Sequence, residues 1–278
     1  MKKIAFVLSM MLGVILISCS STFIVSCASS DENYVSDESP IADNLESFLA
    51  LDTIPDSYLL QFNQIGEKHN ECMDSVLANV TSLDSLGSYL YGYSARKNMI
   101  DRTTTDSLSF VQEIHSMCYD DDGTVIDPED ELKLEDVEVP QGWERYVDDI
   151  RYIISYASAQ NGGLQFQNLK MNILSSNSLS IVDKLSLVSV VSIAKSSFEY
   201  NVVDQTVTPY RLEANTIVGS DAAGALGNVA VNALIGKYNG MLVFGPEGVV
   251  VAVAADALIG GVKASATTAL KRLFSGWF

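Results

Sequence analysis

The sequence predicts a mainly α protein, an irregular helical bundle that ends in a Gly/Ala-rich helical hairpin. Apolar residues recur at helical spacing in several segments after residue 44. Of the 278 residues, 47% are hydrophobic and 19% are charged, which supplies enough apolar material for a core. From about residue 217, Gly, Ala and Val dominate, and such small residues let helix backbones approach closely.

Residues 1–27 have the features of an export signal. Lys2 and Lys3 precede an apolar stretch over 4–17, which is short for a membrane-spanning helix. The segment that ends at Cys19 resembles the lipobox of bacterial lipoproteins, and the segment that ends at Cys27 fits the same pattern. In that class of protein, signal peptidase cleaves before the cysteine, which then carries lipid.

The sequence leaves open which of the two cysteines is lipidated. The length of the apolar stretch and the Leu three residues earlier favour Cys19. The Ser- and acid-rich segment 29–32 favours Cys27, because it resembles the export signal of Bacteroidetes surface lipoproteins. Lipid chains on either cysteine would supply a stable membrane anchor.

A flexible tether and an N-terminal helical region follow the signal. The tether over 28–43 is rich in Ser, Asp and Glu. The helical region spans 44–119, and its apolar periodicity predicts three helices. These lie over about 56–80, 85–99 and 106–118, the last with Thr105 or Asp106 as its N-cap.

An acidic loop over 120–140 separates this region from the C-terminal helical region 141–278. Ten carboxylates accompany a single Lys in the loop, and a run of like charge resists packing. Further helical segments are predicted over 143–159, 166–176 and 179–198. In the hairpin, segments 221–224 and 256–260 form a weak repeat, and interrupting polar residues argue against a membrane-spanning helix.

Two His-x-x-Cys units are the most specific chemical feature. His69 and Cys72 lie in the first predicted helix, and His115 and Cys118 in the third. Positions i and i+3 share a helix face, so the four side chains could converge as a tetrahedral zinc set. In an exported protein, Cys72 and Cys118 could instead form a disulfide or remain as buried thiols.

Four tripeptides resemble the Asp-Ser/Thr-aliphatic O-glycosylation site of Bacteroidetes exported proteins. Thr53 and Ser85 are the two favoured acceptor positions among them. The motif is short, and Asp84 before Ser85 is also a natural helix N-cap.

The negative net charge and the absence of known catalytic and nucleotide-binding motifs argue against several classes of function. A formal net charge of -18 argues against non-specific nucleic-acid binding, which requires positive charge. The sequence contains no phosphate-binding Gly loop, no nucleophile elbow and no His-Glu-x-x-His segment. It therefore identifies no catalytic residue and implies no cofactor.

Three elements together resemble a group of Bacteroidetes surface-type lipoproteins of unknown function. They are the lipobox N-terminus, the Gly66-x-x-His69-Asn70 motif, and the 196–200 segment with the Asp/Ala/Gly-rich C-terminus that follows it. The members often carry Trp where this chain has Asn201. The resemblance implies a surface-associated helical protein and makes His69 and Asn70 its characteristic polar pair.

The resulting expectation is a lipid-anchored envelope protein with a binding or structural role. We expect it in the outer membrane, exposed at the surface, with a protein or glycan partner that the sequence does not name. One alternative is a membrane-active or self-assembling protein that acts through the Gly/Ala-rich region. The other is a hydrolase with an unrecognised site, including one built on a Cys–His pair.

Overall fold

A computed structural model describes residues 54–100, 102, 105–127, 133–203, 214–241 and 244–275. The predicted signal and tether, with Cys19, Cys27 and Thr53, lie outside the described residues. Within them the chain is mainly α and contains no β-strand, so the predicted fold class is confirmed. The α-helices are α1 (Asp56–Asn79), α2 (Leu83–Arg96), α3 (Ser107–Cys118), α4 (Glu144–Tyr156), α5 (Gly162–Leu174), α6 (Ile181–Phe198), α7 (Ala214–Leu234), α8 (Lys237–Met241) and α9 (Gly245–Ser275).

Local sequence signals account for several helix boundaries. Asp106 is the N-cap of α3, and its carboxylate accepts a 2.8 Å hydrogen bond from the backbone N–H of Ser109. Ser180 and Asp183 form a reciprocal capping box at the start of α6. Helix α6 ends in a π-helical turn over Glu199–Val203. The acidic side chains at both caps also complement the positive end of the helix dipole.

Helices α7 and α9 form the predicted antiparallel hairpin at the centre of the molecule. Their backbones meet where the two weak repeats cross, because a Cβ on Gly260 would lie 2.3 Å from the carbonyl oxygen of Gly224. Nearer the other end of the hairpin, the hydroxyls of Ser220 and Thr268 are 2.7 Å apart. Small residues at the crossing are therefore a geometric requirement of this hairpin.

Helices α1 and α6 cover the hairpin and run in the same direction. They approach closely at Gly66, where a Cβ would lie 2.6 Å from the Cβ of Ser196. Helix α6 is buried on nearly all sides, in agreement with its continuous apolar sequence. The side chains that fill the centre of this core include Phe62, Phe166, Phe198, Leu185, Val190, Leu226 and Val253.

The buried face of α3 differs from the predicted one. The sequence spacing predicts one apolar stripe of Leu108, Val111, His115 and Cys118. Of these only Cys118 is buried, whereas Leu108 is 63% exposed and His115 is also exposed. The core side is formed by Phe110, Ile114 and Cys118. In a helix of 12 residues, two faces carry enough apolar residues to satisfy the same spacing.

The described parts of the acidic loop carry exposed carboxylates and form two hydrogen-bonded turns. The Asp120 carboxylate accepts hydrogen bonds from the backbone N–H groups of Asp122 and Thr124, and Gly123 takes a left-handed φ of 76°. A short 3₁₀ turn follows over Leu134–Asp136, and Leu134 is buried. The described parts of the loop thus form a solvated turn and a segment that packs on the core through Leu134, Val137 and Val139.

Helix α9 is long and apolar enough to cross a membrane by length and composition alone. Within residues 245–274, the most apolar 18-residue window has a mean hydropathy of 1.7, and 78% of that window is buried inside the protein. The core helix of a soluble protein meets the same criterion, so this is weak support for a span. In the structure, α9 serves as the central helix of the bundle.

Candidate functional site

The two elements of the lipoprotein resemblance that follow the signal meet in one largely buried polar cluster. The cluster consists of His69 and Asn70 from α1, Ser196 and Ser197 from α6, and Asp221 from α7. Asn70 Nδ2 donates to the backbone oxygen of Ser196 at 3.2 Å and to its Oγ at 3.0 Å. These bonds link residues that are 126 positions apart in the chain.

His69 is the centre of the cluster and is only 1% exposed. Its Nδ1 lies 3.1 Å from Asn70 Oδ1, and its Nε2 lies 3.6 Å from Asp221 Oδ2. Asn70 Nδ2 is directed to Ser196, so Asn70 Oδ1 must accept a hydrogen bond from Nδ1–H of His69. The Nε2 atom of His69 therefore faces the carboxyl group of Asp221.

This geometry requires a proton at the contact between His69 Nε2 and the Asp221 carboxyl group. If both groups were deprotonated at that contact, the Nε2 lone pair would face a carboxylate, which is repulsive. The distance of 3.6 Å exceeds a normal hydrogen bond but is within ion-pair range. The stable arrangements are an imidazolium beside a carboxylate, or a neutral imidazole beside a carboxylic acid.

Asp221 is fully buried, and burial raises its pKa above the usual 3.8. The charge of His69 and hydrogen bonding from Ser197 and Ser265 oppose this increase in the pKa. The Ser197 hydroxyl donates to Asp221 Oδ2, whereas Ser265 lies outside strict hydrogen-bond geometry and Asp221 Oδ1 has no close partner. The carboxyl group is thus stabilised mainly through one of its oxygens.

The cluster lacks the arrangement of a Ser–His–Asp catalytic triad. In a triad the imidazole lies between the hydroxyl and the carboxylate, so that it can remove the hydroxyl proton. Here the carboxylate of Asp221 lies between Ser197 and His69, and the Ser197 hydroxyl donates to it directly. All three side chains are at most 1% exposed, which closes them to a substrate.

The structure does not bring the predicted zinc set together. His69 faces Asp221 in the core, whereas His115 is exposed and its ring stacks on Tyr119 at 4.7 Å. Among the described residues, no group of three or more His, Cys, Asp or Glu side chains is placed to hold a metal ion.

Cys72 and Cys118 are both buried as thiols and not as a disulfide. Burial raises the pKa of Cys72 to about 12, and the charge of Lys97 only partly opposes this effect. A nucleophilic cysteine needs the opposite change, a lowered pKa and access to solvent. The Cys–His version of the hydrolase hypothesis therefore has no support at His69 and Cys72.

Ser85, a favoured acceptor for O-glycosylation, lies in the first turn of α2. Its hydroxyl is half-buried and donates to the backbone oxygen of Ser82 at 2.8 Å. Asp84 is exposed, and its carboxylate accepts a 2.8 Å hydrogen bond from the Tyr119 hydroxyl. Glycosylation at Ser85 remains a prediction.

A second polar cluster, which the sequence did not indicate, fixes the connected end of the hairpin. Lys237 Nζ lies 2.9 Å from both oxygens of Asp256, and the Tyr238 hydroxyl and Asn232 Nδ2 each donate to Oδ2 at 2.9 Å. Burial raises the pKa of Asp256, and Lys237 opposes that shift. The sequence pattern had indicated only a turn at 237–240, because a turn signal carries no information on long-range partners.

No protein-family model matches the chain, and searches of curated proteins and of solved structures found no significant match. The residues themselves are therefore the basis for a functional proposal.

Proposed function

We propose that the chain is a lipid-anchored envelope protein with a binding or structural role. The anchor in this proposal rests on the lipobox-like segments, and the structural role rests on the polar cluster around His69 and Asp221. The side chains that a catalytic hypothesis would select, His69, Ser197 and Asp221, are at most 1% exposed, and the cluster joins α1, α6 and α7. Buried, mutually bonded polar groups of this kind are best explained as a structural connection.

The proposed anchor is one of Cys19 and Cys27, and the proposed location is the outer membrane, with the domain exposed at the surface. The lipobox-like segments and the Ser/acid-rich residues after them support this assignment. The formal net charge of -18 supports a partner that is a protein or a glycan and not a nucleic acid.

Intact mass of the protein extracted from membranes tests the anchor. We expect the mass of a chain that begins at Cys19 or Cys27 and carries acyl groups. The matched variants Cys19→Ala and Cys27→Ala should differ, because only the substitution at the modified cysteine should abolish acylation. A mature chain without acyl groups would overturn the proposal.

A second candidate function is membrane activity or self-assembly through the α7–α9 hairpin. The length and apolar character of α9 favour it. Charged groups on α9 oppose it, because Asp256 binds Lys237 and Lys263 binds Glu113 at 2.6 Å, which stabilises the folded bundle. Leakage of a dye from liposomes at micromolar protein tests this activity, and the absence of leakage would remove it.

A further inference from the structure

The connected end of the α7–α9 hairpin exposes a group of large apolar side chains. We call this group the hairpin tip; its members are Leu234, Ile235, Phe244 and Val251, which are 45%, 46%, 47% and 43% exposed. They are four of the twelve large apolar side chains that are exposed in the described part of the chain. Isolated exposed apolar residues are normal, but several at one end of a hairpin indicate an interaction surface.

The members of the hairpin tip belong to one end of the molecule. The antiparallel pairing of α7 with α9 joins Asn232 to Asp256, which places residues 234–235 and 251 at a similar height. Phe244 immediately precedes α9, and a Cβ on Gly248 would lie 2.8 Å from the Cβ of Phe244. The α8 segment between them is held down by the bonds of Lys237 and Tyr238 to Asp256, so the tip is built on a fixed support.

The described chain begins at this same end. Helices α1 and α9 run in the same direction. Tyr58 in the first turn of α1 is close enough to Glu247 in the first turn of α9 for the two groups to interact electrostatically. Further along both helices, His69 lies beside Gly261. Residues 1–53, which include both candidate lipidation sites, are therefore connected to the domain beside the hairpin tip. Leu60, in the second turn of α1, is also 57% exposed at this end.

The charged residues at this end of the protein indicate which type of lipid headgroup it can approach. Asp56 and Glu247 are exposed carboxylates in the first turns of α1 and α9. The ammonium group of Lys237 forms an ion pair with the Asp256 carboxylate, so it does not neutralise Asp56 or Glu247. An apolar tip flanked by carboxylates is suited to zwitterionic headgroups, because anionic headgroups would repel it.

We propose that the hairpin tip docks in the interface of the bilayer that carries the lipid anchor. This inference rests on the proposed function, because the anchor is what holds the tip at the membrane. Apolar side chains of interfacial segments enter to about 5–10 Å, and the tip residues extend from the domain without any need for the hairpin to open. The domain then stands on the membrane with the opposite end, where α7 begins, directed away from it.

Tryptophan quenching by brominated lipid tests the orientation. The mature lipoprotein, purified from membranes, is reconstituted in phosphatidylcholine vesicles with brominated acyl chains. Phe244→Trp and Val251→Trp place reporters in the tip at exposed positions. Every variant also carries Trp277→Phe, so the fully buried Trp143 is the one native tryptophan left as a constant background. The matched control is Tyr156→Trp, which is 75% exposed in the native protein.

The control position lies at the opposite end of the bundle. Arg151, Ile154 and Ser155 of α4 line a shallow cleft together with Asn215 and Thr216 at the start of α7. Tyr156 follows directly after these α4 residues. A reporter there samples the end of the protein that the proposal directs away from the membrane.

We expect brominated lipid to quench both tip reporters several-fold more than the control, and less so when anionic lipid is added. Equal quenching at all three positions in a protein that is acylated and floats with the vesicles would overturn the docking and leave the anchor intact. Protection of the tip reporters from acrylamide without quenching by lipid would assign the tip to a second protein copy and also overturn it. A chain without acyl groups that does not float would overturn the proposed function itself.

Discussion

His69 Nε2 lies 3.6 Å from Asp221 Oδ2, and the two side chains are 1% and 0% exposed. This contact connects α1 to the central hairpin. A buried pair of this kind contributes little net stability over an apolar pair, but removal of one partner leaves the other uncompensated. The consequences for stability can be measured at each member of the cluster.

Asp221→Ala should lower the free energy of unfolding by about 3–5 kcal/mol, because it removes the buried carboxyl group that both His69 Nε2 and the Ser197 hydroxyl face. Asp221→Asn should cost less, because the isosteric amide fills the same space and presents, at the position of Oδ2, either an acceptor to Ser197 or a donor to His69. Urea denaturation followed by circular dichroism measures both. Equal stability of Asp221→Ala and the native protein would show that the cluster is not a structural connection.

The difference in stability between the native protein and Asp221→Asn should decrease as pH rises above 3.8. Burial raises the folded-state pKa of Asp221 above that value, so the folded state holds the proton longer than the unfolded state. The part of the free energy of unfolding that depends on the protonated Asp221 carboxyl group is present at acid pH. It is lost as pH rises through the folded-state pKa of Asp221. Chemical denaturation at a series of pH values measures the difference.

Asp106→Asn is the matched control for this pH dependence, with the opposite sign. Hydrogen bonds from the side chain and backbone of Ser109 lower the pKa of Asp106 in the folded state. The contribution of the Asp106 carboxylate is thus present above 3.8 and is lost as pH falls. Parallel slopes for the two variants would contradict the assignment of a buried, protonatable Asp221.

Gly66→Ala should destabilise the protein by about 1–3 kcal/mol, because the added Cβ would lie 2.6 Å from the Cβ of Ser196 and force α1 away from α6. Gly92→Ala is the matched control within α2, where a Cβ meets only the flexible end of Arg96 at 3.3 Å. That variant should gain about 0.5–1 kcal/mol from helix propensity. Thermal denaturation distinguishes them, and equal changes would contradict the close approach.

Gly260→Ala should open the central hairpin, because its Cβ would lie 2.3 Å from a backbone oxygen that cannot rotate away. We expect a loss of about 1–3 kcal/mol or more. Gly219→Ala in α7 has no atom within 4 Å of the added Cβ and should stabilise the protein by about 0.5–1 kcal/mol. If both variants behaved alike in urea denaturation, the backbone contact at Gly224 would be refuted.

Cys72 should resist alkylation by iodoacetamide at pH 8 in the native protein, because its pKa is raised to about 12 and its side chain is 0% exposed. Denaturant without reductant should allow labels at both Cys72 and Cys118. Mass spectrometry after each treatment counts the labels. Labels that appear only after reduction would establish the disulfide that the sequence leaves open.

The sequence predicted helix positions well because periodicity is a local signal. The predicted helix over 56–80 corresponds to Asp56–Asn79, and the predicted segment 179–198 corresponds to Ile181–Phe198. The hairpin was also predictable, since two small-residue repeats can meet only by close backbone approach. Each of these inferences needed no knowledge of which distant segment would become a neighbour.

The contacts of the site were not predictable in this way. His69 and Asn70 were singled out by a motif, and Asp221 by a repeat, but nothing in the spacing joined them. The two His-x-x-Cys units invited a shared site on the basis of composition, and the register of α3 instead turned His115 to solvent. Such pairings depend on how helices rotate against each other, which tertiary packing decides.

Because Asn70 and Ser196 are 126 positions apart, the hydrogen bonds between them can form only after α6 has been synthesised. Among the described helices, α1 is synthesised before its partners α6, α7 and α9. Until those helices emerge, the apolar face of α1 has no native neighbour to cover it. A chain truncated before α9 would therefore expose that face permanently, and we expect such a product to be recognised by chaperones and degraded by proteases.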